Sequence, residues 1–234
     1  MEEFLRANYG LLTHGVELTS AIVGLSMYKK FRGSYVKYFI WFLCAVALIE
    51  LIGSYPKYFI KWDLYHIIEN TLIEENYWWF ELLWSLGATI FLSWYLQQVN
   101  SIAYYKNVIK YIRYVFIVVT IIYLFKDWTA IFYPDSSFIG VTGSIVVVFS
   151  AFLLFLDFLL SDKILIFFKD INFYISSILF IWYLSTTSLV FYEIYFDKAD
   201  WNFVFLKWQI YLIANMFMYL SFSIALLCCK PQNK

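Results

Sequence analysis

The strongest constraint on this chain is a series of apolar stretches, each about as long as a membrane-spanning helix. A helix needs about 20 residues to cross the hydrocarbon core of a bilayer. These stretches lack the strict alternation of polar and apolar residues that is typical of strands. They cover residues 9–28, 35–55, 77–99, 109–125, 138–160, 173–195 and 205–228. The pattern predicts an all-α integral membrane protein, with one seven-transmembrane-helix bundle over residues 1–234.

Composition supports a membrane protein without a separate soluble domain. The chain is 63% hydrophobic and 15% charged, whereas a soluble domain is about half apolar and a quarter charged. The net charge is zero and no basic tail is present, so we expect the lipid bilayer as a partner and no nucleic acid. The three cysteines, Cys44, Cys228 and Cys229, lie in or beside apolar runs. This placement predicts neither a disulfide framework nor a cofactor.

The distribution of basic residues predicts the orientation in the membrane. Short cytoplasmic loops are rich in lysine and arginine. The basic residues gather around the first and third loops, and the opposite side is acidic. We therefore expect an outer N-terminus, a cytoplasmic C-terminus and a multi-pass position in the cell membrane, inner or plasma. The basic residues are Lys29, Lys30, Arg32, Lys37, Lys106, Lys110 and Arg113.

The longest loop, 57–76, has apolar residues at helical spacing. These positions are Ile60, Leu64, Ile67, Ile68 and Leu72. The spacing predicts a short amphipathic helix on the outer membrane surface.

Several polar residues fall inside or near the outer ends of the apolar runs. Such groups are expensive in a bilayer, and they usually face the bundle interior or a wet cavity. His14 and Glu17 are three residues apart, so they share a helix face and can form a hydrogen bond. The alternative is that each acid reaches the headgroups or bonds a neighbouring helix, most clearly for Glu81 and Glu193. The predicted ligand- or proton-binding residues are His14, Glu17, Glu50, Glu81, Glu193, Gln209 and Asn215.

A metal site is the lesser alternative at the same positions. His14 with Glu17 and His66 with Glu69 share a three-residue spacing, which can present two ligands to one ion. Known bundle motifs have the reverse order, Glu-x-x-His, and the chain has no third histidine. We therefore predict no metal, with this histidine and glutamate set left as the open alternative.

The sequence leaves three classes of function open. The leading prediction is a sensor or accessory component that responds to a small ligand or a proton and acts through a cytoplasmic or membrane partner. A secondary transporter or channel is the second class, and a membrane enzyme that uses outer-half carboxylates is the third. Seven spans with an outer N-terminus resemble heptahelical receptors in topology alone, and fold does not imply function. No catalytic residue is predicted, and a homo-oligomer stays open.

The orientation can be tested by cysteine accessibility in a background that lacks Cys44, Cys228 and Cys229. Ser34→Cys and Asn107→Cys should react with a membrane-impermeant maleimide only from the cytoplasmic side, and Glu74→Cys only from outside. Labelling of positions 34 and 74 from the same side would show that the second apolar run does not cross the membrane.

Overall fold

A computed structural model describes residues 2–133, 138–161, 167–193 and 201–230. A π-helix, Glu81–Ala88, joins α4 to α5, so residues 77–99 form one continuous helical stretch. The described residues thus contain seven long helical stretches, and the all-α prediction is confirmed. The α-helices are α1 (Glu2–Phe31), α2 (Val36–Gly53), α3 (Tyr55–Lys61), α4 (Tyr77–Phe80), α5 (Thr89–Val99), α6 (Ala103–Lys126), α7 (Phe138–Leu160), α8 (Ile171–Glu193) and α9 (Trp201–Cys228).

Five helical segments within the described ranges are long and apolar enough to cross a membrane, which identifies a multi-pass membrane protein. α1 is not one of them, and it carries His14 and Glu17 within its length. The stretch 77–99 is also not one of them, and it changes helix type at Glu81. The five segments are Val36–Lys61, Ala103–Lys126, Phe138–Leu160, Ile171–Val190 and Trp201–Cys228.

The helices pack side by side in a ring. α1 lies between α2 and α9, α8 lies between α9 and α7, and α7 packs against α5 and the π-helix. α2 closes the ring through aromatic contacts, such as the stack of Phe42 on Phe91 with ring centroids 4.7 Å apart. α6 lies outside the ring against α5 and α7, and it exposes Val115, Val118 and Ile122. An apolar exposed face of this kind fits contact with lipid.

The main hydrophobic core fills one half of the ring. This half contains the turn between α1 and α2, the ends of α5, α7 and α9, and the start of α8. We call it the sealed end and the opposite half the cavity end. Large buried side chains from six helices meet at the sealed end and close its centre. Among them are Phe31, Phe39, Tyr95, Leu154, Ile171, Phe222 and Leu226.

Polar side chains at the sealed end bind the backbone of neighbouring helices. Asp157 is fully buried, and its carboxylate accepts hydrogen bonds from the N–H groups of Ser101 and Ile102 at 3.0 and 3.1 Å. The Lys30 ammonium donates to the carbonyls of Leu226 and Leu227 at 3.1 and 3.0 Å. These contacts satisfy free groups at the start of α6 and the end of α9, as helix caps do.

A third contact joins α5 to the start of α8. The Tyr95 hydroxyl donates to Asn172 Oδ1 at 2.7 Å. Asn172 in turn donates through its backbone N–H and its side-chain amide to Asp170 Oδ1, at 2.8 and 3.0 Å. The buried polar groups of this corner are therefore hydrogen-bonded, as buried groups need to be.

The loop between α3 and α4 differs from the predicted amphipathic helix. α3 ends at Lys61, a 3₁₀ turn covers Tyr65–Ile67, and turns and bends fill the rest. Asp63 and Asn70 have left-handed backbone angles, φ 57° and 59°, which interrupt a right-handed helix. Only Ile68 of the five predicted apolar positions is buried.

Side-chain hydrogen bonds shape this loop instead. The Tyr55 hydroxyl donates to the carbonyl of Ile73 at 2.6 Å, and the Tyr65 hydroxyl donates to Glu74 Oε1 at 2.6 Å. The hydrogen bond to Glu74 raises the pKa of Tyr65 to about 12. The helical pattern failed here because local side-chain bonds to the backbone compete with helix formation.

Gly143 of α7 lies at the tightest contact with the stretch 77–99. A β-carbon on Gly143 would collide with Thr89 Oγ1 and lie 3.3 Å from the backbone oxygen of Ser85. Gly15 of α1 has no atom within 4 Å of the same position. We expect Gly143→Ala to lower the free energy of unfolding by about 1–3 kcal/mol through overpacking. Gly15→Ala, the matched control, should be neutral or stabilising by up to about 1 kcal/mol, as measured by unfolding in detergent.

Candidate functional site

α1 and α2 bring three ionisable side chains together at the cavity end. His14 and Glu17 lie one helical turn apart on α1, and Glu50 lies in the last turn of α2. One ligand-type atom from each residue lies within 4.8 Å of the other two. The short turn between the two helices makes them antiparallel neighbours, so the start of α1 meets the end of α2. The predicted partnership of these three residues thus has a structural basis in helix packing.

Glu17 is the most deeply buried member of this cluster, with 2% of its surface exposed. Its Oε2 atom lies 3.5 Å from His14 Nδ1, but neither atom makes a hydrogen bond within the described part of the chain. The other ring nitrogen, Nε2, lies 3.4 Å from the Ser54 hydroxyl oxygen. That hydroxyl donates to the Glu50 carbonyl at 3.1 Å. Buried polar atoms without partners are rare and mark a strained or functional position.

One lysine and two tyrosines surround the cluster. The Lys57 ammonium of α3 lies beside Gly10, one turn before His14 on α1. Lys57 is close enough to act electrostatically on His14 and Glu50. Tyr9 and Tyr219 are within the same range of both glutamates. α1, α2, α3 and α9 all therefore contribute polar groups to this region.

A separate cavity of about 320 Å³ opens between the π-helix, α7, α8 and α9. Glu81, the first residue of the π-helix, lines it, and its Oε2 accepts a hydrogen bond from Ser85 at 2.9 Å. The backbone N–H of Gly140 in α7 also interacts with the Glu81 carboxylate. Among the described residues, Glu81 Oε1 and the hydroxyl oxygen of Thr187 in the opposite wall are buried and make no short hydrogen bond. Lys207 of α9 also lines the cavity. The cavity thus contains both signs of charge and unused hydrogen-bonding capacity.

Aromatic rings form much of the remaining wall. Trp84 of the π-helix meets Trp182 of α8 edge to face, with ring centroids 5.8 Å apart. Tyr183 and Tyr211 also line the cavity. The indole N–H of Trp182 donates to Asn215 Oδ1 at 2.8 Å, which fixes one wall. A cavity with aromatic walls and a few polar groups is typical of a small-molecule site.

The predicted site residues thus separate into groups. His14, Glu17 and Glu50 form one cluster, and Glu81 lines the other cavity. Asn215 supports Trp182, and Gln209 lies in a small hollow beside Tyr9 and Trp208. The side chain of Glu193 lies outside the described residues. His66 and Glu69 are exposed in the loop, and the metal-type group found among the described residues contains neither of them.

The sequence prediction did not assign a role to Lys207 or to the Ser85 hydroxyl. Lys207 stands near the start of the last apolar run and carries no motif of its own. Glu81, Ser85 and Thr89 follow one another at four-residue spacing, which places them along one helical face. That spacing was the available signal for a polar stripe in an otherwise apolar run.

Searches against protein-family models, curated proteins and solved structures find no match.

The contact between His14 and Glu17 predicts an unequal response to single and double substitution. His14→Ala should leave Glu17 buried without a cation, and removal of one partner of a buried ion pair costs about 3–5 kcal/mol. We expect His14→Ala to lower the thermal stability in detergent more than the combined change His14→Leu with Glu17→Leu. Thermal unfolding should be measured at about pH 6, where an ordinary histidine is largely protonated, and in the presence of EDTA to remove metal ions. If the double variant loses as much thermal stability as the separate His14 and Glu17 substitutions added together, the two residues are independent.

Proposed function

We propose that this protein is a non-enzymatic sensor or accessory component of the cell membrane. It forms one seven-helix bundle with the N-terminus outside, so that the cavity end opens outward. A small molecule with an ammonium group binds in the cavity beside Glu81, and the sealed end passes the bound state to a cytoplasmic or membrane partner. The observation that carries this proposal is the buried carboxylate of Glu81 in a cavity large enough for a small ligand. The backbone N–H of Gly140 interacts with this carboxylate, but Oε1 makes no short hydrogen bond among the described residues.

The wall of the cavity favours a ligand with an ammonium group. A ligand ammonium can donate to Oε1 of the Glu81 carboxylate, and it can face the rings of Trp84 and Trp182, which attract cations. An α-amino acid carries such an ammonium group on a small frame.

The π-helix supports a ligand-binding role for this wall. π-Helical segments are rare and occur frequently at functional sites. Here the segment covers Glu81–Ala88 and carries Glu81, Trp84 and Ser85, three residues of the cavity wall. The wider turn thus coincides with the polar part of an otherwise apolar stretch.

The sealed end favours a sensor over an open channel. A channel needs a polar path through both halves of the membrane. Among the described residues, the centre of the sealed end is filled by buried side chains such as Phe39, Tyr95 and Phe222. The same end exposes Lys29, Arg32 and Lys110, which suits a partner with an acidic surface.

Ligand binding can be tested by thermal unfolding of the purified protein with a panel of α-amino acids. At least one should raise the melting temperature, since a ligand at 100 times its Kd stabilises the folded state by about 2.7 kcal/mol. Glu81→Gln should abolish the increase by removing the charge that holds the ammonium. Glu69→Gln, which changes an exposed glutamate of the loop, should retain it.

Two results would contradict the proposal. The first is the absence of any stabilisation across the panel of amino acids. The second is an increase in melting temperature that persists in full in Glu81→Gln. Uptake of a stabilising amino acid into proteoliposomes would show that the protein is a transporter and not a sensor.

A further inference from the structure

We propose that His14, Glu17 and Glu50 bind a divalent transition-metal ion of the Zn²⁺ type. This site lies on α1 and α2, apart from the cavity beside Glu81, and the inference does not rest on ligand binding in that cavity. The three side chains already place one nitrogen or oxygen atom each within 4.8 Å of one another. Two further observations, the orientation of His14 and the burial of Glu17, point to a cation at their centre.

The hydrogen bonds around His14 determine which ring nitrogen is available. The Ser54 hydroxyl uses its proton in the bond to the Glu50 carbonyl. Its oxygen therefore meets His14 Nε2, 3.4 Å away, as an acceptor. This arrangement favours the tautomer with the proton on Nε2 and a lone pair on Nδ1. Outer contacts that fix the tautomer in this way are typical of metal-binding histidines.

The lone pair of His14 Nδ1 then faces a carboxylate oxygen. Glu17 Oε2 lies 3.5 Å away, at ion-pair distance, and neither atom makes a short hydrogen bond among the described residues. When His14 is neutral these are two facing acceptors, which repel unless a cation lies between them. Because Glu17 is only 2% exposed, bulk water cannot screen this repulsion. A cation bound to both atoms satisfies them together.

The spacing fits a metal ion better than a shared proton. A charge-assisted N–H···O bond is normally 2.7–2.9 Å long, shorter than the 3.5 Å observed between His14 and Glu17. Tetrahedral Zn²⁺ holds nitrogen and oxygen ligands at about 2.0–2.2 Å, which places two ligand atoms about 3.3–3.6 Å apart. The His14–Glu17 distance lies in this range. Glu50, within 4.8 Å, has to approach by about 1 Å, which side-chain rotation can supply.

Charge balance is compatible with this ion. Two ionised carboxylates carry two negative charges, and a divalent ion neutralises both. Lys57 is the charged neighbour from α3, and Tyr9 and Tyr219 face the cluster from α1 and α9. A protonated His14 together with Lys57 would balance the same charge, so charge alone does not choose between a metal and a proton. The distance of 3.5 Å between His14 Nδ1 and Glu17 Oε2 favours the metal ion.

The ligand types define the class of ion. One imidazole with carboxylates suits Zn²⁺ and its neighbours Co²⁺, Ni²⁺ and Cu²⁺. Mg²⁺ and Ca²⁺ prefer sites made of oxygen atoms alone. Three protein ligands also leave one position of a tetrahedral ion for water or another small ligand.

The test is a titration of the purified full-length protein with ZnCl₂ after EDTA treatment, without a histidine tag. Calorimetry should give one Zn²⁺ per chain, and Co²⁺ should give the visible absorption of a tetrahedral site. Loss of a residue that only orients a ligand costs 10–100-fold in metal affinity. Glu17→Gln and His14→Gln should therefore weaken Zn²⁺ binding by at least about 100-fold.

Control variants separate this site from surface binding. His66→Gln removes the other histidine of the chain and should leave the Zn²⁺ affinity unchanged. Glu50→Asp serves as the test if the Glu17 or His14 variant fails to fold. It retains a carboxylate and should still bind Zn²⁺ measurably. The inference is overturned if the wild type binds no Zn²⁺, or if a folded Glu17→Gln or His14→Gln variant binds it as tightly as the wild type. Loss of binding in His66→Gln alone would also overturn it, by placing the ion in the loop.

Discussion

The cost of removing charge from water governs how polar groups are arranged in this bundle. An isolated charge in a low-dielectric interior is strongly unfavourable, so a buried carboxylate needs a partner or a bound cation. Asp157 obtains two backbone N–H donors, whereas Glu17 and Glu81 each keep one oxygen without a hydrogen bond among the described residues. The first arrangement stabilises the fold, and the second leaves binding capacity for something else.

Helix packing explains why the two unsatisfied carboxylates lie in different places. α1 contacts α2 and α9, so Glu17 shares its surroundings with Glu50 of the neighbouring helix. The π-helix packs against α7, so Glu81 faces the space that α7, α8 and α9 enclose. Tyr9 and Tyr211 are within electrostatic range of each other, and Tyr211 lines that space. The cluster and the cavity are therefore neighbours within the same half of the ring.

The sequence was most informative where the length of an apolar run or the helical spacing of residues decides the structure. Apolar runs long enough to cross a bilayer predicted the helices, and the three-residue spacing of His14 and Glu17 predicted their contact. The loop after α3 was predicted incorrectly, because hydrogen bonds from Tyr55 and Tyr65 outweigh a weak helical pattern. Lys207 could not be assigned to a cavity, since its neighbours come from distant parts of the chain. The four-residue spacing of Glu81, Ser85 and Thr89 indicates a shared polar face, but the spacing does not predict the π-helix or the helices that this face meets.

The contacts at the sealed end also impose an order on assembly. The N–H groups of Ser101 and Ile102 can form their hydrogen bonds to Asp157 only after that residue is synthesised, more than 50 residues later. The hydrogen bonds of Lys30 form later still, because its carbonyl partners lie 196 and 197 residues further along the chain. A nascent chain that stops before α9 therefore has an open seam along α1, with the cationic end of Lys30 unsatisfied by those carbonyls. The bundle closes only when α9, the last helix, packs against α1. Until then, lipid or insertion factors have to cover that seam.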